Sequence, residues 1–255
     1  MTKPAEAMTD AQLAAHLAEV AGHLLIEVRN SGVLSLKALG KAGDATANQF
    51  LIHALLEQRP ADGLLSEESK DTPERLSKSR VWIIDPVDGT REYGEARADW
   101  AVHVGLVVDG TATVGAVALP GLGVVLRSDQ PKAVPPAPAK LRMLVSRTRP
   151  APEAVAVAAT FDAELIGMGS AGAKAMAVVR GEADIYLHSG GQYEWDSCAP
   201  VAVALAHGLH ASRMNGSPLV YNQADVYMPD LLICRKEHAV MVLTAVAELA
   251  RDVTC

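Results

Sequence analysis

Aromatic side chains supply only 4% of this 255-residue chain, and basic residues are outnumbered by acidic ones, leaving a formal net charge of −7. Together these shortages exclude a polynucleotide-binding surface, which needs basic stripes and stacking platforms. An anionic small-molecule ligand must be recruited by cations and local basic residues, because the overall field opposes it. Cysteine is scarce as well. Cys198, Cys234 and Cys255 are odd in number and lack metal-ligand spacing, so neither a disulfide framework nor a zinc site is expected. Cys198 and Cys234 sit in apolar runs and read as small buried hydrophobes. No apolar run reaches membrane-spanning length and the N-terminus lacks a basic-then-apolar leader, so no membrane partner and a reducing cytoplasm are expected. The length suits one or two domains, without internal repeats.

What the chain does have is acid at the ends of apolar segments. Val81-Trp82-Ile83-Ile84 runs into Asp85-Pro86-Val87-Asp88-Gly89-Thr90. Two carboxylates three apart, with a rigid proline between them, can converge with the Val87 carbonyl on one hard divalent cation. Gly89 and Thr90 then offer main-chain N–H groups to a phosphate. Equally, Asp, Pro and Gly form ordinary turns. Glu67 and Glu68 end a second apolar segment, and Asp196 precedes a small-residue run as a helix N-cap, with Ser197 as the alternative cap. Gathering like charges demands a counter-charge, so convergence of these clusters implies bound cations.

Periodicity predicts a helix capped at Thr9, with Leu13, Leu17, Val20, Leu24 and Val28 on one face, and a second helix over 45–57. Strands are predicted at 63–66 and 81–84, and a hairpin pairs 101–108 with 111–119 across Asp109-Gly110. A proline-rich connector over 131–140 separates an N-terminal α+β region, 1–130, from a C-terminal α/β region, 141–255. The second region reads as strand 141–146, helices near 152–161 and 171–180, strand 184–187, a helix after Asp196, strand 231–234 and a terminal helix from 237.

The segments Leu64-Leu65-Ser66-Glu67-Glu68, Trp82 to Thr90 and Glu194-Trp195-Asp196-Ser197-Cys198-Ala199-Pro200 resemble, in order and spacing, the signature elements of the inositol monophosphatase superfamily of Mg²⁺-dependent, lithium-sensitive phosphatases. Gly43-Asp44 begins the resemblance, and Asn215-Gly216-Ser217-Pro218-Leu219-Val220-Tyr221-Asn222 ends it. It implies a layered αβαβα sugar-phosphatase fold, usually dimeric, and two to three Mg²⁺ ions. By the same resemblance Glu67, Asp85 and the Val87 carbonyl hold one cation and Asp85, Asp88 and Asp196 a second. Glu67 shares a weaker third ion through water, with Glu68 or Asp44 nearby. Asp44 and Thr90 orient and deprotonate the attacking water, and Gly89 and Thr90 bind the transferred phosphate. From the residues alone, Gly43-Asp44 could equally start a helix.

The continuation Arg91-Glu92-Tyr93 resembles 3′(2′),5′-bisphosphate nucleotidases of the CysQ type, particularly their actinobacterial form. Ser146-Arg147 resembles another element of that branch, as does Lys174, 21 residues before Trp195. The implied substrates are adenosine 3′,5′-bisphosphate (PAP) and its 5′-phosphosulfate (PAPS), in sulfate assimilation and nucleotide recycling. Arg147 and Lys174 would grip the second phosphate; otherwise both are solvated surface charges. Ala171-Gly172-Ala173 and His188 depart from that pattern, leaving inositol phosphate or fructose 1,6-bisphosphate as alternatives, and His188 reads as easily as a surface histidine. A non-catalytic ligand sensor of the same fold is a distant alternative. The G-x-G-x-x-G at 167–172 is read as a turn into a helix rather than a dinucleotide site, and no G-x-S-x-G elbow supports a serine triad.

Overall fold

The unbroken apolar run 81–84 belongs to a strand that is covered on both faces. In the computed structural model, which describes residues 8–252, one sheet has the spatial order β1 (Gly63–Ser66), β2 (Arg80–Asp88), β3 (Ala101–Val108), β4 (Thr111–Leu119) and β5 (Val124–Arg127). Strands β1 and β2 are parallel, and the later pairings are antiparallel. Alternation divides the core on either side. Trp82, Ile84, Val102 and Val104 pack with helices α1 (Asp10–Asn30) and α2 (Leu36–Gln58). Val81, Ile83, Ala101 and Val117 share a core with α5 (Ala171–Val179) and α6 (Glu194–Ala206). Each such fully buried Val, Leu or Ile contributes about 1.5–3 kcal/mol.

The second sheet lies beyond those central helices, in the order β7 (Glu164–Met168), β6 (Arg142–Ser146), β8 (Ile185–Tyr193), β10 (Tyr227–Cys234) and β9 (His210–Ser212). Leu144, Tyr186 and Ile233 face the central helices, whereas Met143, Ile185 and Leu232 pack under α4 (Pro152–Thr160) and α7 (Lys236–Asp252). The layers therefore run α–β–α–β–α, as the resemblance implied. Cys198 and Cys234 are buried and unpaired. Cys255 and the first seven residues, on which the leader reading rests, lie outside the described residues.

Strong local signals match the structure closely. Thr9 caps α1 in a reciprocal capping box with Gln12. The hairpin turns on Asp109 (φ 48°) and Gly110 (φ 78°), both left-handed as a two-residue turn of the I′ type requires. Four short elements escape the sequence reading: α3 (Thr90–Gly94), β5, β7 and β9. Such elements are too short to establish a period, and β5, β7 and β9 are edge strands. Residues 131–140 form no helix or strand.

Helix α2 corrects the expectation more informatively. It starts at Leu36, so Asp44 lies within the helix and not at its start. Gly40 and Gly43, though poor helix formers, are needed for close packing. A Cβ on Gly43 would lie 2.6 Å from Tyr93 Cε1 and 3.0 Å from Leu25 Cδ2, and one on Gly40 would lie 2.7 Å from Thr90 Cγ2. Tyr93 cannot yield, because it is fully buried and its hydroxyl donates to the Leu25 carbonyl at 2.7 Å. The glycines thus let α2 approach α3 and bring Asp44 beside Thr90. Gly43→Ala is expected to destabilise the protein by about 1–3 kcal/mol despite alanine's better helix propensity. Chemical denaturation checks this; a stabilised variant would show that the contact is not tight.

Candidate active site

Strand β2 does not stop at Asp85, as the sequence suggested, but bulges there. Asp85 pairs with His103 of β3 and Asp88 with Ala101, so three residues of β2 advance against two of its partner. Pro86 has no N–H for the ladder, and a bulge re-aims the side chains beside it. Asp85 accepts the Val87 N–H at 3.1 Å, closing the turn on itself. Gly89 follows at φ 87°, a left-handed conformation, with Trp100 and Ser170 too close for an added Cβ to pass freely. The chain then enters α3, whose first residue, Thr90, donates to the Val87 carbonyl at 3.1 Å.

Helix α6 supplies the third acid. Asp196 is not the N-cap of α6 but its third residue. Tyr193 is the cap, and its main-chain N–H donates to Asp196 Oδ2 at 2.7 Å. One carboxylate oxygen each from Asp85, Asp88 and Asp196 lies within 4.8 Å of the others. Such an all-oxygen donor set, drawn from strand β2 and helix α6, suits a hard divalent cation. Glu67 follows β1, its N–H continuing that ladder to the Ile84 carbonyl at 3.4 Å.

The charge state of this cluster fits a cation site. Burial raises Asp85 well above the carboxylate range, and Glu67, Asp88, Asp196 and Asp44 push it further. Burial and the Asp88 charge raise Asp196 to about 7. Glu67 stands at the solvent-open rim, yet desolvation of its inner side and the neighbouring acids raise it to about 7 against a hydrogen bond from Asp85. Asp44 also rises to about 7, through burial and then Glu68, with the Thr90 hydroxyl opposing, and its buried Oδ1 has no partner. Asp88 alone is strongly ionised. Burial pushes it up, but His103, Ser170 and the Gly172 N–H together hold it at about 2.

His103 went unnoticed in the sequence and is central here. Its Nε2 lies 3.1 Å from Asp88 Oδ2, and its Nδ1 lies 2.9 Å from the Trp195 carbonyl. A carbonyl only accepts, so Nδ1 carries a proton, and the Asp88 charge raises the affinity of the ring for a second proton against the opposing effect of burial. Asp88 also accepts the Ser170 hydroxyl and the Ala171 and Gly172 N–H groups at 3.1 and 2.6 Å. It therefore fills the N-terminus of α5. Residues 167–172 do form a strand–turn–helix, but the anion at the helix end is this side chain, which leaves no place for a pyrophosphate. Ser170 itself sits at φ 53°, a strained conformation for a non-glycine residue.

Neither of the two expected phosphate grips is a free surface charge. Lys174 is buried and so is not a surface charge. Its Nζ caps the Ser170 carbonyl and lies 3.3 Å from that of Gly169 and 5.3 Å from the centre of the Tyr186 ring. Arg147 donates to Glu92 at 2.7 Å and to Glu95 at 3.1 Å, both near α3. His188 is likewise buried and not a surface histidine. Its Nε2 meets the Gly190 carbonyl at 2.8 Å, and burial, then Lys174, lower it to about 4. The predicted C-terminal element acts as a strap: Glu194 accepts the Asn222 and Gln223 N–H groups, each at 2.7 Å, and the Asn222 side chain accepts from buried Arg75 at 2.8 Å.

Comparison with known proteins agrees with this geometry. The inositol monophosphatase family matches over residues 7–250. A 3′-phosphoadenosine 5′-phosphate phosphatase of Mycobacterium leprae is 49% identical, covering 95% of each chain, and one of Mycobacterium tuberculosis is 50% identical over 91% of each. The Escherichia coli 3′(2′),5′-bisphosphate nucleotidase CysQ is 28% identical over 73% of this chain and 81% of its own. Among solved structures, CysQ from Bacteroides thetaiotaomicron superposes with a TM-score of 0.77 at 22% identity, covering 89% of this chain and 97% of its own. An inositol monophosphate-bound SaIMPase-II gives 0.78 at 19% identity over 95% of each chain, so the fold is shared.

The crowded carboxylates yield a linkage prediction. Asp44, Glu67 and Asp196 each bind a proton more tightly when folded, with values near 7 against ordinary values of 3.8, 4.5 and 3.8. Stability of the metal-free protein is therefore fullest below about pH 4 as far as these groups are concerned, and falls as pH rises toward 7. Thermal melts in a chelator should show Tm decreasing from pH 5 to pH 8, and millimolar Mg²⁺ should restore it at pH 8. A Tm unaffected by Mg²⁺ at pH 8 would count against a cation site.

Proposed function

The chain belongs to the inositol monophosphatase family, and from that premise we propose that it is a Mg²⁺-dependent phosphomonoesterase removing the 3′-phosphate of PAP and PAPS. The observation that carries the reading is the convergence of Asp85, Asp88 and Asp196 within 4.8 Å, in a chain about half identical over nearly its full length to phosphatases named for that substrate. Sulfate assimilation, nucleotide recycling, lithium sensitivity, a cytoplasmic homodimer and a division into regions 1–130 and 141–255 across the connector complete the proposal.

Glu67, Asp85 and the Val87 carbonyl would hold one cation, and Asp85, Asp88 and Asp196 a second, and Glu67, with Glu68 and Asp44 nearby, would serve a third. When bound, Mg²⁺ supplies the positive charge that activates the nucleophile and stabilises the leaving oxygen. The protein does the positioning. Thr90 and Asp44 orient the attacking water, and the buried, unpartnered Asp44 Oδ1 is the atom that takes its proton. Main-chain N–H groups of Gly89 and Thr90 hold the phosphoryl oxygens at the bulge. His103 fixes Asp88 against α5, so the acid presents one geometry to the cation rather than several. On the leaving-group side Arg147 takes the second phosphate, exchanging Glu92 and Glu95 for it, while buried Lys174 stiffens the Met168–Ser170 turn behind it.

A second reading, inositol monophosphatase, is favoured by one observation: Arg147 is already neutralised by Glu92 and Glu95. A monoester with a single phosphate would not need it released. Phosphate release from PAP, inositol 1-phosphate and fructose 1,6-bisphosphate, measured side by side with Mg²⁺, decides between them. The nucleotide reading requires the largest kcat/KM on PAP.

Asp85→Asn is expected to abolish turnover nearly completely while leaving the fold intact, because it removes the bridging charge and relieves crowding. Near-normal rates at saturating Mg²⁺ would remove Asp85 from the ligand set. Arg147→Ala should lower kcat/KM on PAP at least about tenfold more than on inositol 1-phosphate, the worth of a charge-assisted hydrogen bond. Equal losses on the two substrates would make Arg147 structural.

A further inference from the structure

In a chain with only 3 Trp, 5 Tyr and 2 Phe, three of these rings gather within the turn that carries Asp196 and the strand beside it. Tyr193 stacks on Trp195 at 5.0 Å with an interplanar angle of 15°, and Tyr227 meets Tyr193 edge-on at 5.8 Å and 76°. Tyr193 and Tyr227 are cross-strand partners on β8 and β10, and the Tyr227 hydroxyl accepts the Gly191 N–H at 3.2 Å. The remaining three tyrosines, and Trp82 and Trp100, are buried, whereas Tyr193 and Tyr227 are 40% and 42% exposed. Leaving the protein's few large rings half open to water forgoes burial that every other tyrosine obtains. The exposed pair also directly adjoins the acid cluster, since Tyr193 donates its N–H to Asp196.

We propose that Tyr193, supported by Trp195 and Tyr227, is the platform on which the purine base of the substrate stacks. The inference rests on the nucleotide reading above and deepens it by assigning the base, which neither the acid cluster nor Arg147 can recognise. The platform joins the acid cluster through the Tyr193 main-chain N–H, which donates to Asp196 at 2.7 Å. The flat π-face of a purine matches an exposed ring already braced from behind, so little freedom is lost on stacking. No Lys or Arg belongs to the trio, so it favours the base over either phosphate. Stacking also divides recognition between the two ends of the nucleotide. Arg147 contributes a salt-sensitive contact, and Tyr193 a contact that salt leaves largely unchanged.

The test compares kcat/KM of the full-length enzyme with Mg²⁺ on PAP and on the abasic 1-deoxyribose 3,5-bisphosphate. Tyr193→Leu retains the main-chain N–H that holds Asp196 and removes only the ring. The PAP-to-abasic ratio should fall about ten- to a hundredfold, the worth of one base–aromatic stack, and Tyr193→Phe should restore it. A purine should also quench the fluorescence of Trp195 when adenosine 5′-monophosphate binds, and not in Tyr193→Leu. An unchanged ratio, or equal losses on both compounds that Tyr193→Phe does not repair, overturns the platform. A wild-type enzyme that prefers inositol 1-phosphate to PAP overturns the nucleotide reading itself, which separates the two failures.

Discussion

Everything at the centre of this molecule is arranged around keeping Asp88 ionised among other acids. Its carboxylate satisfies the N-terminus of α5, accepts the Ser170 hydroxyl and faces the His103 ring, so it is held at about 2 while its neighbours rise. The same contacts join the sheets. Asp88 belongs to the first, α5 leads from the second, and His103 reaches across to the Trp195 carbonyl immediately before Asp196. One carboxylate thereby serves as helix cap, ion-pair partner and donor to the acid cluster. Removing its charge would leave two main-chain N–H groups and the buried His103 ring without their partner, so the architecture and the proposed chemistry cannot be separated at this residue.

Precision at the cluster comes from irregularity placed on rigid supports. The bulge at Pro86 and the strained turn at Ser170 each depart from regular backbone, and both are clamped by buried layers on either side. Ser170 is held because its hydroxyl donates to Asp88 and accepts from the Ala173 N–H at 2.9 Å. Strain of this kind persists only where surrounding contacts determine the conformation. The Glu194–Asn222–Arg75 strap performs a similar service at a distance, tying the start of α6 to the segment after β1.

Legibility in the sequence followed the range of the physics involved. The hairpin at Asp109-Gly110 and the capped α1 could be read because each rests on local periodicity or turn chemistry, whereas the five-layer order followed only from the resemblance to a family. The acids Asp85, Asp88 and Asp196 could be read because clustered carboxylates at strand ends are unusual in any fold. What was hidden depends on long-range contacts. His103 sits in an ordinary β3 pattern, and only the register of β2 against β3 gives it meaning. Gly40 and Gly43 are poor helix formers whose role shows only once Thr90 and Tyr93 are packed against them. Lys174 and His188 carry polar names but are buried, and no single-residue property announces that.

The same distinction explains how a protein with a net charge of −7 can handle a multiply charged anion. Its cations are mostly spent. Arg147 is held by Glu92 and Glu95, Lys174 by main-chain carbonyls, and His103 by Asp88. On the proposed reading the acid cluster would repel a phosphate until divalent cations reverse its sign, so binding of the ester would be conditional on the metal. Of these three residues, Arg147 is the one whose own side chain is partly exposed, and on the proposed reading it would pass from carboxylates to phosphate with its charge paired throughout. On that reading the site would discriminate by requiring two events together, cation loading and the release of one arginine, and a ligand that offers only one phosphate would satisfy only the first.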